Sequence, residues 1–99
     1  MRITESRSSR GVVLFLSGSI DSTTSPNLQN EIFRASKINP NVSLDFADVM
    51  SIDDSGVRVL QAGLRTVASR RGRLTIVNPN AAIKNMLHTE GLGRLLMTV

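Results

Sequence analysis

Apolar and polar positions along this chain alternate between two rhythms, one of period two and one of period 3.6. Val12, Val13, Leu14, Phe15 and Leu16 follow one another without a polar break, which predicts a strand over residues 11–20 buried on both faces. Residues 2–6 are a candidate strand ahead of it. Residues 21–25 are polar, and Ser25 before Pro26 reads as a helix cap followed by a first-turn proline. Leu28, Ile32 and Ala35 then recur at helical spacing with Phe33 alongside, until Asn39-Pro40-Asn41 ends the segment. Val42, Leu44 and Phe46 alternate with Ser43 and Asp45, a clear strand pattern. A helix is predicted from about residue 55 to 71, with an apolar stripe of Val57, Leu60, Leu64, Val67 and Ala68 and a stop at Gly72. Leu74, Ile76 and Val77 form a third strand, closed by Asn78-Pro79-Asn80. Residues 81–89 read as a short helix with Ile83, Met86 and Leu87 inward and Gly91 at its end. Leu92, Leu95, Leu96 and Val99 suit a last turn and short strand. Strands that alternate with helices imply parallel pairing through right-handed crossovers. The expected fold is a single α/β domain over residues 1–99, a small sandwich whose mixed sheet has about four or five strands, with helices packed mainly on one face.

Composition narrows the function classes. The 99 residues are 40% hydrophobic, enough for a modest core without metal or disulfide staples. There is no cysteine, which removes disulfide frameworks, thiol catalysis and cysteine-based zinc sites together. The start, Met1 to Arg10, lacks the apolar run of a secretory signal, and the longest apolar run, residues 12–16, falls far short of the ~20 residues that span a bilayer. The chain is therefore expected to be soluble and cytoplasmic, without membrane insertion. A net charge of +4 and a pI near 11.1 suggest nucleic acid at first sight. However, ten of the twelve basic residues are arginine, tyrosine and cysteine are missing, and little titrates between neutrality and high pH. With only three aromatic residues there is no stacking platform, so the basic balance reads as a solvated surface and no direct nucleic-acid contact is expected.

Chemistry concentrates in Ile52-Asp53-Asp54-Ser55-Gly56, where a strand runs through a short acidic loop into a helix. Such loops lie at the carboxyl edge of an open α/β sheet, where ligands and partners gather. Ser55 has two readings there. It is either part of a helix cap, worth ~1 kcal/mol, or a phosphoacceptor beside backbone amides and the positive end of a helix dipole. Local physics favours the cap. An enzyme reading finds little support: the single histidine, His88, sits near the end of a late helix, and no nucleophile elbow surrounds Ser55. No phosphate-binding glycine loop and no metal-ligand cluster is present, and adjacent carboxylates such as Asp53 and Asp54 need not converge on a cation. No catalytic residue, metal or cofactor is expected.

Four short motifs bear on the choice at Ser55. Gly18-Ser19-Ile20-Asp21 resembles a G-x-L-D strand ending, and residues 42–45 followed by Ile52-Asp53-Asp54-Ser55-Gly56 resemble a hydrophobic strand with a D-S-S-G or D-S-T-G signature. Residues 74–79 resemble a strand ending in N-P, and Leu87 with Gly91-Leu92 resembles an L-x-x-x-G-L close. In this order and spacing, from about residue 10 to the C-terminus, they resemble the STAS domain family of the anti-sigma-factor-antagonist type. The resemblance implies a small STAS-like sandwich acting in bacterial partner switching. The unphosphorylated antagonist binds an anti-sigma factor that is also a GHKL-type serine kinase, phosphorylation releases it, and a PP2C-like phosphatase resets it. By position Ser55 is then the phosphoacceptor and Asp53 the leading aspartate, with Asp21 on the same docking edge. The resemblance thus reverses the preference for a mere cap.

Two departures stand out. Asp54 replaces the first hydroxyl residue of the signature, and its carboxylate partly mimics phosphate. Arg58 stands where a second glycine is common; it either pairs with phosphoserine or Asp54, or is a solvated surface arginine. The expected partner-binding set is Asp21, Asp53, Asp54, Ser55, Gly56, Arg58 and Val59. Val59 lies off the apolar stripe and supplies exposed apolar contact in this reading, with Gly63 permitting close approach; the alternative is that it packs on a neighbouring element. STAS domains also serve as accessory subunits of transporters and in stressosome assemblies, a competing role without sigma-factor regulation.

Overall fold

The computed structural model describes residues 1–96. Strand β1 (Arg2–Ser8) turns into β2 (Gly11–Ile20), followed by α1 (Ser25–Ile38), β3 (Asn41–Ile52), α2 (Asp54–Ser69), β4 (Arg73–Val77) and α3 (Ala81–Thr89). A 3-10 turn over Gly93–Leu95 ends the described chain, and Leu96 makes a parallel bridge to Ile76. Val99, expected in a final short strand, lies outside the described residues. Among the described residues the sheet has four strands in the order β1-β2-β3-β4; β1 is antiparallel to β2, and β2, β3 and β4 are mutually parallel. A mixed sheet with helical crossovers is the arrangement expected from the alternating pattern.

The core lies between the sheet and the helices. Val12, Leu14 and Leu16 of β2, Val42, Leu44 and Phe46 of β3, and Leu74 and Ile76 of β4 point into it at period two. Leu28, Ile32 and Ala35 of α1, Leu60 and Val67 of α2, and Ile83 and Leu87 of α3 meet them. The helices cover only this face, so β2 is not buried on both sides as its apolar run suggested: Phe15 is 43% exposed and Val13 half-buried on the open face. Ala68 likewise leaves the expected helix stripe for solvent, and Leu64 is half-buried.

The helix ends differ in detail from the sequence expectation. Ser25 is buried and does not cap α1; Thr24 holds the N-cap position, and the start is tied by the Ser25 N–H to the Asp21 carbonyl at 2.8 Å. At the end of α2 the left-handed residue is not Gly72 but Arg71, at φ 60°. The Arg71 N–H reaches the Ala68 carbonyl at 3.0 Å and the Gly72 N–H the Val67 carbonyl at 2.7 Å, a Schellman closure with arginine where glycine is usual. Gly72 is needed for a different reason, since a Cβ there would stand 2.0 Å from the Pro40 carbonyl oxygen.

Candidate functional site

The carboxyl ends of β2 and β3 lie side by side, Ile20 in register with Ile52, and the Asp53 N–H donates to the Ile20 carbonyl at 3.0 Å. The Asp21 and Asp53 loops are thus fixed to one another at a single edge of the sheet. Asp53 is the N-cap of α2. Its Oδ1 accepts from the Ser55 N–H at 2.9 Å, from the Gly56 N–H at 3.2 Å and from the Ser55 hydroxyl. Asp21 repeats the arrangement ahead of α1: Oδ1 accepts from the Thr23 N–H at 2.9 Å, the Thr23 hydroxyl at 2.6 Å and the Thr24 N–H at 3.2 Å. Both are aspartates closing a turn with a hydroxyl residue two positions on.

These donors set the electrostatics. The Ser55 hydroxyl above all, then the Gly56 and Ser55 amides, hold the Asp53 carboxyl below the usual carboxylate range, against some desolvation and the charge of Asp21. The Thr23 hydroxyl and amide, with help from Thr24, do the same to Asp21. Asp54 occupies the first position of α2, exposed, where the positive helix end favours an acid. The edge therefore carries three aspartates.

The structure brings Asp21, Asp53, Asp54 and Ser55 together and removes two of the expected contact residues. Gly56 is buried, and a Cβ there would stand 2.4 Å from Ile52 Cγ1 and 2.7 Å from Ile20 Cγ2, so its part is to let α2 seat on the two strand ends. Val59 is only 4% exposed and belongs to the core, and Gly63 faces Ile32 and Leu74. The buried arc of α2 is wider than the periodic stripe implies because the helix packs on the sheet and on α1 at once. Arg58 is exposed and, among the described residues, makes no ion pair with Asp54.

Two features at this edge were missed. Thr23, whose geometry duplicates that of Ser55, was readable from the Asp21 to Thr23 spacing, which matches Asp53 to Ser55. Met50, near the carboxyl end of β3, is 76% exposed, the most exposed large apolar side chain in the described chain. It escaped notice because bulges in the β2–β3 pairing, between Phe15 and Ser17 and between Gly18 and Ser19, break the period-two alternation.

The sequence profile described as Mlab, STAS domain matches residues 3–98. The chain belongs to the STAS domain family. Among solved structures, this STAS domain superposes on the unphosphorylated form of the anti-sigma factor antagonist SpoIIAA with a TM-score of 0.85 at 22% identity, covering 99% of this chain and 88% of that one. The Bacillus cell fate determinant SpoIIAA in its phosphorylated form gives 0.77 at 22% identity, over 99% and 91% of the two chains. An anti-sigma factor antagonist from Mycobacterium paratuberculosis gives 0.84 at 22% identity, over 99% and 86%. No curated protein sequence matches. At these identities the shared property is the fold, and the STAS domain places its acidic loop pair at the carboxyl edge of that fold. No helix among the described residues is long and apolar enough to cross a membrane.

Proposed function

We propose that this STAS domain is an anti-sigma factor antagonist that works by partner switching, with Ser55 as the residue whose phosphorylation ends the complex. The reading is carried by the Ser55 hydroxyl, half exposed at the head of α2 and hydrogen-bonded to the Asp53 carboxylate. Unmodified, that hydroxyl is a donor that quiets one carboxylate of the edge. A phosphoryl group in its place removes the donor and sets about −1.5 to −2 charges beside Asp53, Asp54 and Asp21. The cap then loses its third hydrogen bond, and a partner that must desolvate this edge meets like-charge repulsion as well. Together these effects cost several kcal/mol, enough to turn tight binding into weak.

The docking face comprises Asp21, Thr23, Asp53, Asp54 and Ser55, with Met50 as the apolar contact that Val59 does not supply. In this reading Arg58, exposed one helical turn beyond Ser55, pairs with the phosphoserine. The partner is an anti-sigma factor with serine-kinase activity of the GHKL type, and a PP2C-like phosphatase restores the hydroxyl, as the resemblance to the antagonist type implies. The chain itself turns nothing over. The experiment is to incubate the protein with that kinase and ATP, map the phosphosite, and compare partner affinity of Ser55→Ala and Ser55→Asp. Modification at Ser55 and loss of affinity only for the Asp variant are expected. An unmodified protein, or an Asp variant that binds like wild type, overturns the proposal.

A further inference from the structure

The apolar stripe of α2 runs further than the fold covers it. Val57, Leu60 and Val67 are buried, yet Leu64 is half-buried and Ala68, one turn on, is exposed. An amphipathic stripe ordinarily meets a packing partner along its length. Here its last turns open instead onto a groove of about 840 Å³ between α2, the outer strand β4 and the turn at Gly93–Leu95. That volume lies within the range of small-molecule sites, roughly 300–1,000 Å³. Its apolar surface comes from Leu64, Ala68, Leu74, Leu95 and Leu96, with Leu74 and Leu95 buried beneath. Arg65, Arg73 and Arg94, all exposed, also line it, and no carboxylate is among the lining residues. Among the described residues the ion pairs engage only Arg7 and Arg34, so none of these three arginines is neutralised by one.

We infer that this groove binds a fatty acid, with the acyl tail along the leucines and Ala68 and the carboxylate on the arginines. The two halves of the lining call for two halves of a ligand. Leucine side chains and the small Ala68 offer a tail nothing to hydrogen-bond and remove it from water. Planar guanidinium forks pair bidentately with a carboxylate, and the absence of any acid in the lining selects an anionic head. Arginine stems lie along apolar surface while their charged ends stay wet, so the head sits at the rim and the tail below it. A peptide strand added to β4 is the less favoured occupant, since that strand has five residues and Leu96 already bridges to Ile76. No residue of the groove belongs to the acidic docking edge, so the inference stands apart from the proposed switch.

The test is a titration of the isotope-labelled protein with laurate, below micelle formation, read by amide shifts. Saturable shifts at residues 64–68, 72–75 and 94–96 are expected. Octanoate, with the same head and a shorter tail, should bind about tenfold or more weaker. Dodecyltrimethylammonium, with the same tail and the opposite charge, should also bind about tenfold or more weaker. Arg65→Gln with Arg94→Gln is expected to weaken laurate by about tenfold or more. Removing the same charge elsewhere, by Arg2→Gln with Lys84→Gln, should leave affinity within about twofold, and dispersed spectra show that each variant is folded. Absence of saturable shifts in the groove, equal affinity for the cationic amphiphile, or equal weakening by both variant pairs overturns the inference. So do shifts in the groove on dilution without laurate, which would assign it to contact between copies of the chain.

Discussion

The Asp53 carboxylate accepts three hydrogen bonds on one oxygen, so its loss is felt locally and at once. Asp53→Ala leaves the Ser55 and Gly56 amides without their acceptor and is expected to lower the midpoint of urea denaturation. The same carboxylate gives the protein an acid sensitivity of definite sign. In the folded chain Asp53 and Asp21 titrate below the usual range, so the unfolded chain takes up protons first on acidification. Their contribution is present above about pH 4 and is lost as pH falls through and below that value. The midpoint of thermal unfolding should be flat from neutrality to about pH 5 and then decline, and Asp53→Asn should make the decline shallower. Gly56 is the other sensitive position. A methyl group there meets Ile52 and Ile20 at under 3 Å, and Gly56→Ala is expected to cost about 1–3 kcal/mol by forcing α2 away from the strand ends.

The elements show where a linear reading of the chain succeeds and where it stops. β3 was legible because Val42, Leu44 and Phe46 alternate with polar neighbours, and α3 because its stripe is flanked by Asn80 and Gly91. In the structure Asn80 Oδ1 accepts from the Ile83 N–H at 2.8 Å and Gly91 takes φ 75°. The acidic loop was legible from residue types alone, as a short turn between a strand pattern and a helix pattern. Three features were not legible. The exposure of Phe15 depends on which face of β2 the helices cover, the burial of Val59 on α2 packing against two elements, and the prominence of Met50 on bulges two strands wide. Each is set by a neighbour distant in sequence, which local pattern does not contain. The closure of α2 gives a prediction at this scale. Arg71→Gly relieves the left-handed strain while loosening the unfolded chain, and a net gain of up to about 1 kcal/mol is expected in urea denaturation. A loss of stability would show that the Arg71 side chain holds the turn.

Across the whole molecule the charges separate along the strand direction. Asp21, Asp53 and Asp54 lie at the carboxyl ends of the strands, while Arg10, Arg71 and Arg73 line a cleft at the amino ends. Three of the ten arginines thus sit away from the proposed docking edge, where three aspartates stand with the exposed Arg58 one helical turn beyond Ser55. A partner that docks on this face is steered by its carboxylates, so its association rate should fall as salt rises from low to physiological strength. The account depends on the carboxyl edge being a contact surface that responds to charge at Ser55. The most direct test is the dissociation constant of the kinase-type anti-sigma partner for wild type, Ser55→Ala and Ser55→Asp, measured side by side. Affinity of the Ala variant within about threefold of wild type, and of the Asp variant weaker by about tenfold or more, is the predicted result. Equal binding by all three would contradict it.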